Sequence, residues 1–382
     1  MTSLFISLQW LPILLVIVVR SDWDHGMNPR TRWYLIDIAS ALLTLPILFF
    51  IKDFNYFAII LILLARGVLD QINRINRTVA AKILFPADKL AYYASFLQTG
   101  YHVGISVAAL SGIFLKDRIS LDLLIVINAA TFIVSAGLIL CTRCIENVTF
   151  PKFNERKTLK ARMIAYKEAL QADARLFYCA ILPPTTATFL QGTYSVLQPI
   201  FPIKGLGLGA QEVSFSYVLA TFAILLGSFT FSSFSKQYRL FDRNFLQIIM
   251  LSSSLSVLAC ISYLIFVSTD SPLVSAVFFT LMVFLYEFIW MNGYAGIVAF
   301  SPEGKLGTIF GITFCIGCTL ASLVSALAGL LIDITNNNFV MTISIFMSLY
   351  LAVIFIAWIV FKQLGYPIKQ KEMEIGYGAL DQ

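Results

Sequence analysis

Residues 306–332 read LGTIFGITFCIGCTLASLVSALAGLLI, 27 positions without one charged side chain. A helix rises about 1.5 Å per residue, so roughly 20 such residues cross the hydrocarbon core of a bilayer. A helix of a soluble protein would show a polar face over that length. The stretch therefore predicts a transmembrane helix. Working outward from it, ten further runs of the same kind occur, at 4–19, 33–51, 56–84, 90–115, 121–141, 176–200, 213–234, 244–267, 273–300 and 338–361. Composition agrees: 59% of the 382 residues are hydrophobic and 13% charged, with a mean hydropathy of +0.83. A soluble domain carries about a quarter charged residues, so most of this surface faces lipid.

Connections between the runs are short except one, 142–175, whose charges from Arg143 to Arg175 are eight basic and four acidic. Within it, RKTLKARMIAYKEALQADAR (156–175) sets Leu159, Met163, Ala169 and Leu170 among Lys and Arg, the pattern of an amphipathic helix lying on a membrane surface. The linker divides the chain into a five-helix bundle over 1–141 and a six-helix bundle over 176–361, followed by a tail, 362–382. The expected fold class is thus all-α, a polytopic membrane protein of two pseudo-symmetric helical bundles. Of the 27 Lys and Arg, 22 fall in alternate connections beginning with 20–32 and only Lys52, Lys116, Arg118 and Lys204 in the opposite ones. By the positive-inside rule the C-terminus is cytoplasmic and the N-terminus outside. The net charge of +6 is accounted for by these loops, without nucleic acid as a partner. The start, Met1-Thr-Ser-Leu, lacks a basic leader and the first run lacks a small-residue cleavage site, so it reads as a retained helix.

The two parts echo each other. Pro86-Ala-Asp-Lys-Leu90 opens a helix that closes on Ala109-Leu-Ser-Gly-Ile-Phe-Leu, and Pro302-Glu-Gly-Lys-Leu306 opens one that closes on Ala326-Leu-Ala-Gly-Leu-Leu-Ile, at offsets of 216 and 217 residues. Parallel repeats of this kind are found in transporters that hold a solute between their halves near the midplane. Soluble-enzyme motifs are absent from the sequence: it has no phosphate-binding Gly-Lys loop, which argues against direct use of ATP, no H-E-x-x-H and no Gly-x-Ser-x-Gly. Gly205-Leu-Gly-Leu-Gly209 lacks a strand-to-helix setting and reads as an outer loop, and Asn147-Val-Thr149, a formal glycosylation triplet, falls on the expected cytoplasmic side. Cys141/Cys144 and Cys315/Cys318 are C-x-x-C pairs at a helix end and inside a helix, with no His nearby, which suits helix packing better than metal. No cofactor, metal or catalytic residue is expected.

With this topology on the page, the chain resembles the major facilitator superfamily, whose members have two six-helix bundles joined by a long cytoplasmic loop. The marker loop of that family, between its second and third helices, is similar to Arg20-Ser-Asp-Trp-Asp-His-Gly-Met-Asn-Pro-Arg-Thr-Arg-Trp33, without the usual leading Gly. The resemblance makes Asp22 or Asp24 its acidic member and Arg30 and Arg32 its basic pair, and Ser235–Asn244 the equivalent loop of the second half. It also aligns the first apolar run with the family's second helix, which implies a first helix that is missing or encoded upstream. The spacing of Pro86, Ala94, Gly100, Gly104 and Gly112 resembles the siderophore- and drug-exporting branch, although Ser106 stands where a kink proline is usual. The resemblance implies a monomeric multi-pass carrier in a bacterial inner membrane, with a small solute, lipid and protons as its partners.

Charged and polar residues at membrane depth are costly and usually face a cavity or a partner. Arg66, Asp70 and Arg74 recur every four residues in 56–84, which gathers them towards one face. Either Arg66 and Asp70 form an ion pair that locks helices together, or they line a pathway with Asp70 taking protons and Arg66 holding an anionic group. Glu287 lies deep in 273–300 with Trp290 and Asn292 close by. It is expected to carry protons, or else to stay neutral on a helix carbonyl. The run 176–200 is rich in Thr and holds Pro183, Pro184, Gln191 and Tyr194, which predicts a hydrated wall rather than a dry seam. Gln98, Tyr101 and His102 complete the candidate solute contacts, His102 doubling as a possible packing residue. The expected function is proton-coupled export of an amphipathic metabolite, siderophore or drug. The alternatives are import of an anionic nutrient or metal–siderophore complex, and a non-transporting membrane scaffold.

Overall fold

The computed structural model describes residues 28–53, 55–84, 119–141, 158–238, 245–302 and 304–363, together with Pro12, Val16, Tyr93, Leu97, Gly100, Val103, Gly104 and Val107. Among them there is no strand. The first part contributes α1 (Pro29–Thr44), α2 (Ile47–Lys52), α3 (Tyr56–Leu84) and α4 (Leu121–Cys141), and the linker contributes α5 (Leu159–Ala172). The second part contributes α6 (Ala174–Thr186), a π turn over Ala187–Gln191, α7 (Gly192–Lys204), α8 (Ala210–Tyr238), α9 (Phe245–Ser268), α10 (Pro272–Phe300), α11 (Leu306–Ile334) and α12 (Phe339–Gln363). Among the described residues seven spans are long and apolar enough to cross a membrane: α1 with α2, α4, and α8 to α12. The expected runs 4–19 and 90–115 lie almost wholly outside the described residues.

Two helices depart from the runs expected of them. The run 33–51 begins one turn earlier, because Asn28 caps the helix by accepting from the Arg30 N–H at 2.9 Å and Pro29 supplies a preset first turn. Arg30 and Arg32 therefore belong to the first turn of α1 and not to a loop. That run also breaks at Pro46, where α2 begins. The run 176–200 is helix, π turn and helix from Ala174 to Lys204, with Pro183 and Pro184 just before the wide turn. A proline takes one donor out of the ladder, and a π bulge is a common local adjustment.

In the first part, packing is organised by one carboxylate. Asp37 on α1 is 3% exposed and accepts from Asn73 Nδ2 of α3 at 3.0 Å and from Ser135 Oγ of α4 at 2.6 Å. Asn76 Nδ2 of α3 donates to the Pro29 carbonyl at 2.8 Å, and Arg30 donates to the Ile139 and Leu140 carbonyls at the end of α4. In the second part close backbone approach dominates, as small residues permit between membrane helices. A Cβ on Gly293 of α10 would lie 2.4 Å from Pro183 Cγ, and one on Gly317 of α11 would lie 2.9 Å from Pro184 Cα. The prolines of α6 thus seat in two notches that only glycine leaves open. Three threonines of the segment expected to form a hydrated wall are packed inside the second half. Thr186, Thr188 and Thr193 are 0–3% exposed, and each hydroxyl donates to the carbonyl four residues back at 2.5–2.6 Å. A threonine can satisfy itself within its own helix and so needs no water.

The linker helix α5 is capped by Thr158, whose side chain accepts from the Ala161 N–H. It leaves Leu159, Met163 and Ile164 exposed and docks on α11 through Tyr166, whose hydroxyl lies 3.2 Å from Thr313 Oγ1. Burial pushes the Tyr166 hydroxyl above its ordinary range, so it stays neutral there.

Candidate functional site

Helices α3 and α10 are both 29 residues long and are displaced by 216 positions at each end, the offset of the sequence echo. They are the same element of the two repeats, and they meet each other in register. Thr78 lies 3.3 Å from the Tyr294 hydroxyl, and Lys82 Nζ donates to the Val298 carbonyl at 3.4 Å, both pairs separated by 216 residues. Lys82 also donates to the Ser301 carbonyl. One turn before Thr78, the Arg74 guanidinium lies 5.8 Å from the ring centre of Trp290, again its counterpart by 216, and 4.1 Å from that of Phe314 on α11. Trp290 and Phe314 meet edge to face at 5.9 Å, forming an aromatic receptor for the cation. Positions equivalent by the 216-residue offset thus come together at this contact.

Among the described residues no hydrogen bond or ring contact joins α3 to α10 beyond Arg74. Asp70 and Arg66 continue the same four-residue row, but Asp70 is exposed and Arg66 half-exposed. The Arg66 guanidinium lies 5.1 Å over the Phe132 ring of α4. Among the described residues Arg66 and Asp70 form no ion pair, so the simple locking reading is not what is seen. The row therefore runs from a clamp between the halves at Lys82, Thr78 and Arg74 to accessible side chains at Asp70 and Arg66.

The candidate residues of the second half divide among three places. Trp290, 5% exposed, belongs to the clamp. Gln191 is half-exposed and its Oε1 accepts from the Tyr286 hydroxyl at 2.7 Å, while Tyr194 packs edge-on to Tyr286 at 5.9 Å. Glu287 is 1% exposed between α8 and α10, where Oε1 accepts from Ser228 Oγ at 2.7 Å. Asn292, 2% exposed, donates to Ser252 Oγ of α9 at 2.5 Å. It sits five residues beyond Glu287, roughly 140° further round the helix, and so faces a different neighbour. Gln98, Tyr101, His102, Asp22 and Asp24 lie outside the described residues. Arg30 caps α4 and Arg32 is buried at 8% exposure.

Sequence reasoning missed Thr78, Lys82, Tyr294 and Phe314. Two signals pointed to the first three: the four-residue row continues from Arg74 to Lys82, and the 216 offset pairs it with α10. Phe314 carries no such mark, since a Phe among 33 is not conspicuous.

The arrangement can be set beside known proteins. No protein with a curated description matches the sequence. Among solved structures the chain is similar to a bacterial homologue of the iron transporter ferroportin in its outward-facing state, with a TM-score of 0.64 at 14% identity over 94% of this chain and 89% of that one. It is similar to the E. coli fucose:proton symporter, at 0.60 and 14% over 94% and 97%. It is also similar to the human organic anion transporter MFSD10, at 0.64 and 13% over 94% and 82%. At such identities these likenesses show the fold, and the sequence profile of the Major Facilitator Superfamily matches residues 3–326. Seven spans long and apolar enough to cross a membrane and a profile spanning most of the chain agree: this multi-pass membrane protein belongs to the Major Facilitator Superfamily, a family of transporters and not of enzymes.

Proposed function

We propose that the chain is a secondary active transporter that exports a small amphipathic organic solute, a metabolite, siderophore or drug, in exchange for protons across a bacterial-type inner membrane. The observation that carries this reading is the α3 row, clamped at one end and accessible at the other. With the positive-inside orientation, the clamp lies at the cytoplasmic side and the arrangement is closed inward. Asp70 then stands about 18 Å from Lys82 along the helix, near the midplane, where solutes are held between repeats. Arg66 lies one turn further out and suits a negatively charged group on the solute, with Gln191 and Tyr286 offering polar contacts from the other half.

Asp70 is the accessible carboxyl and the first candidate for the proton. Glu287 is sealed behind Ser228 in this arrangement, so its proton exchanges only once α8 and α10 part. The fucose:proton symporter among the similar structures is in keeping with proton coupling on this fold. The test is transport by the purified chain in proteoliposomes, with and without a pH gradient, for native protein and Asp70→Asn. The expected result is gradient-driven transport in the native protein and exchange that ignores the gradient in the variant. Native transport indifferent to the gradient would refute the proton part. Whole-cell accumulation that rises with the protein present would favour import. The scaffold alternative requires that no solute raises the melting temperature.

A further inference from the structure

Helix α5 is joined to α6 through Asp173 alone and packs on α6 and α11. Its Tyr166 hydroxyl reaches Thr313 at 3.2 Å. Thr313 lies seven residues into α11, about 10 Å from the start of that membrane-crossing span. A helix tethered so closely, with a side chain reaching that far along α11, lies at the level where α11 enters the bilayer.

The sides of α5 follow from the turn of about 100° per residue. Tyr166, buried Arg162 and Ala169, and half-buried Leu170 face the bundle. Measured round the axis from Tyr166, Leu159 and Met163 stand at about 20° and 60°, and Lys167 and Lys160 at about 100° and 120°. Ile164 and Glu168 follow at about 160° and 200°. All six of these side chains are exposed. On this flank the chemistry therefore changes in order, from apolar beside the bundle, through two ammonium groups, to a mixed side with a carboxylate. Acyl chains, phosphates and water succeed one another in the same order at a bilayer surface. A lysine there lays its methylenes on the apolar layer and lifts its ammonium to the headgroups.

We propose that this flank of α5 is a docking surface for anionic lipid of the leaflet it adjoins. Leu159 and Met163 lie against acyl chains, and Lys160 and Lys167 hold the headgroups. Two observations select this occupant. The helix is fixed at the level of the bilayer that the chain itself crosses, and its flank is cationic, with Glu168 turned to the far side. The surface is separate from the α3 row and does not rest on the export or proton reading.

The experiment places a bimane fluorophore on Met163→Cys, or on Ile164→Cys, in the full chain with its six cysteines replaced by Ala. The protein is held in phosphatidylcholine nanodiscs, and quenching by brominated phosphatidylglycerol, brominated phosphatidylcholine and aqueous iodide is compared. Bimane at 163 should be quenched by brominated lipid, and bimane at 164, the next residue, by iodide. Phosphatidylglycerol should quench at 163 in preference to phosphatidylcholine. Lys160→Gln with Lys167→Gln should lower that preference roughly twentyfold at low salt, about fivefold for each charge, and added salt should weaken it in the parent. Hydrogen exchange on the native, unlabelled chain gives a second reading. Protection of α5 should rise when phosphatidylglycerol is added to the nanodiscs, and should not rise in the double lysine variant. Bimane at 163 quenched by iodide alone, or by none of the three, would overturn the docking surface, the latter result showing a polypeptide cover. Equal quenching by the two lipids, or a preference that survives the lysine variant, would overturn the anionic selectivity. Protection of the native α5 that ignores phosphatidylglycerol would do the same.

Discussion

Replacing Arg74 by Gln, Thr78 by Val and Lys82 by Met removes the polar contacts named above between α3 and the second half while leaving its helical backbone and apolar bulk in place. Each has a magnitude. A partly buried cation held against two aromatic rings contributes about 1–2 kcal/mol. The ammonium bonds of Lys82 to the Val298 and Ser301 carbonyls contribute about 2 kcal/mol, and the Thr78–Tyr294 hydroxyl pair about 1 kcal/mol. Parting the halves returns both cations to water, and that hydration offsets part of the loss. A net change of about 3 kcal/mol remains, which alters the closed-to-open ratio roughly 150-fold. A 99:1 preference for the closed arrangement then becomes a mixture with both states abundant. Spin labels on Cys141, exposed at the end of α4, and on Lys305→Cys, exposed at the start of α11, report the separation at this end. The other five cysteines are replaced by Ala beforehand. Pulsed dipolar spectroscopy should show one distance in the parent and a second, longer one in the triple variant. Arg74→Lys alone keeps the charge but not the planar stack, and should give a small longer-distance fraction. A triple variant with the parent's single distance would refute the clamp.

Asp37→Ala leaves Asn73 and Ser135 without their acceptor and should lower stability by about 2 kcal/mol, whereas Asp37→Asn keeps an acceptor and should recover part of it, both read as melting temperatures in detergent. Gly293→Ala sets a Cβ 2.4 Å from the rigid Pro183 ring and should cost about 1–3 kcal/mol; Gly311→Ala, whose Cβ among the described residues meets Ile75 Cδ1 at an ordinary 3.6 Å, should melt as the parent does. Glu287→Gln keeps an acceptor for Ser228, so its melting should change by less than about 1 kcal/mol while the pH profile of transport flattens. An unchanged profile would assign the proton to Asp70 alone.

The class of fold was legible because hydropathy over 20 or more residues is a strong signal that local detail cannot hide. The helix ends at Leu121, Cys141 and Leu306 fall where the apolar runs end, while α1 begins early because capping by Asn28 and Pro29 outweighs the polarity of Arg30 and Arg32. The site was less legible, since polarity shows that a residue needs a partner without showing which partner it takes. Thr186 and Thr188 looked like cavity lining and satisfy themselves. Asn292 looked like a companion of Glu287 and faces α9. Trp290 looked like a solute contact and receives Arg74.

The repeat explains why the clamp takes the form it does. An unaltered two-fold axis through α3 and α10 would set like against like, so a cation at position 74 would face a cation at 290 and another at 82 would face one at 298. The halves would then repel where α3 meets α10. Here the second half has Trp290, Tyr294 and Val298 at those positions, and Phe314 joins from α11. The cations meet ring faces and carbonyl oxygens, and Thr78 meets the Tyr294 hydroxyl. None of these named partners carries a full negative charge, so breaking these particular contacts parts no ion pair. A contact built this way closes by a few kcal/mol and opens at little cost, which is the range that rocking between two states requires.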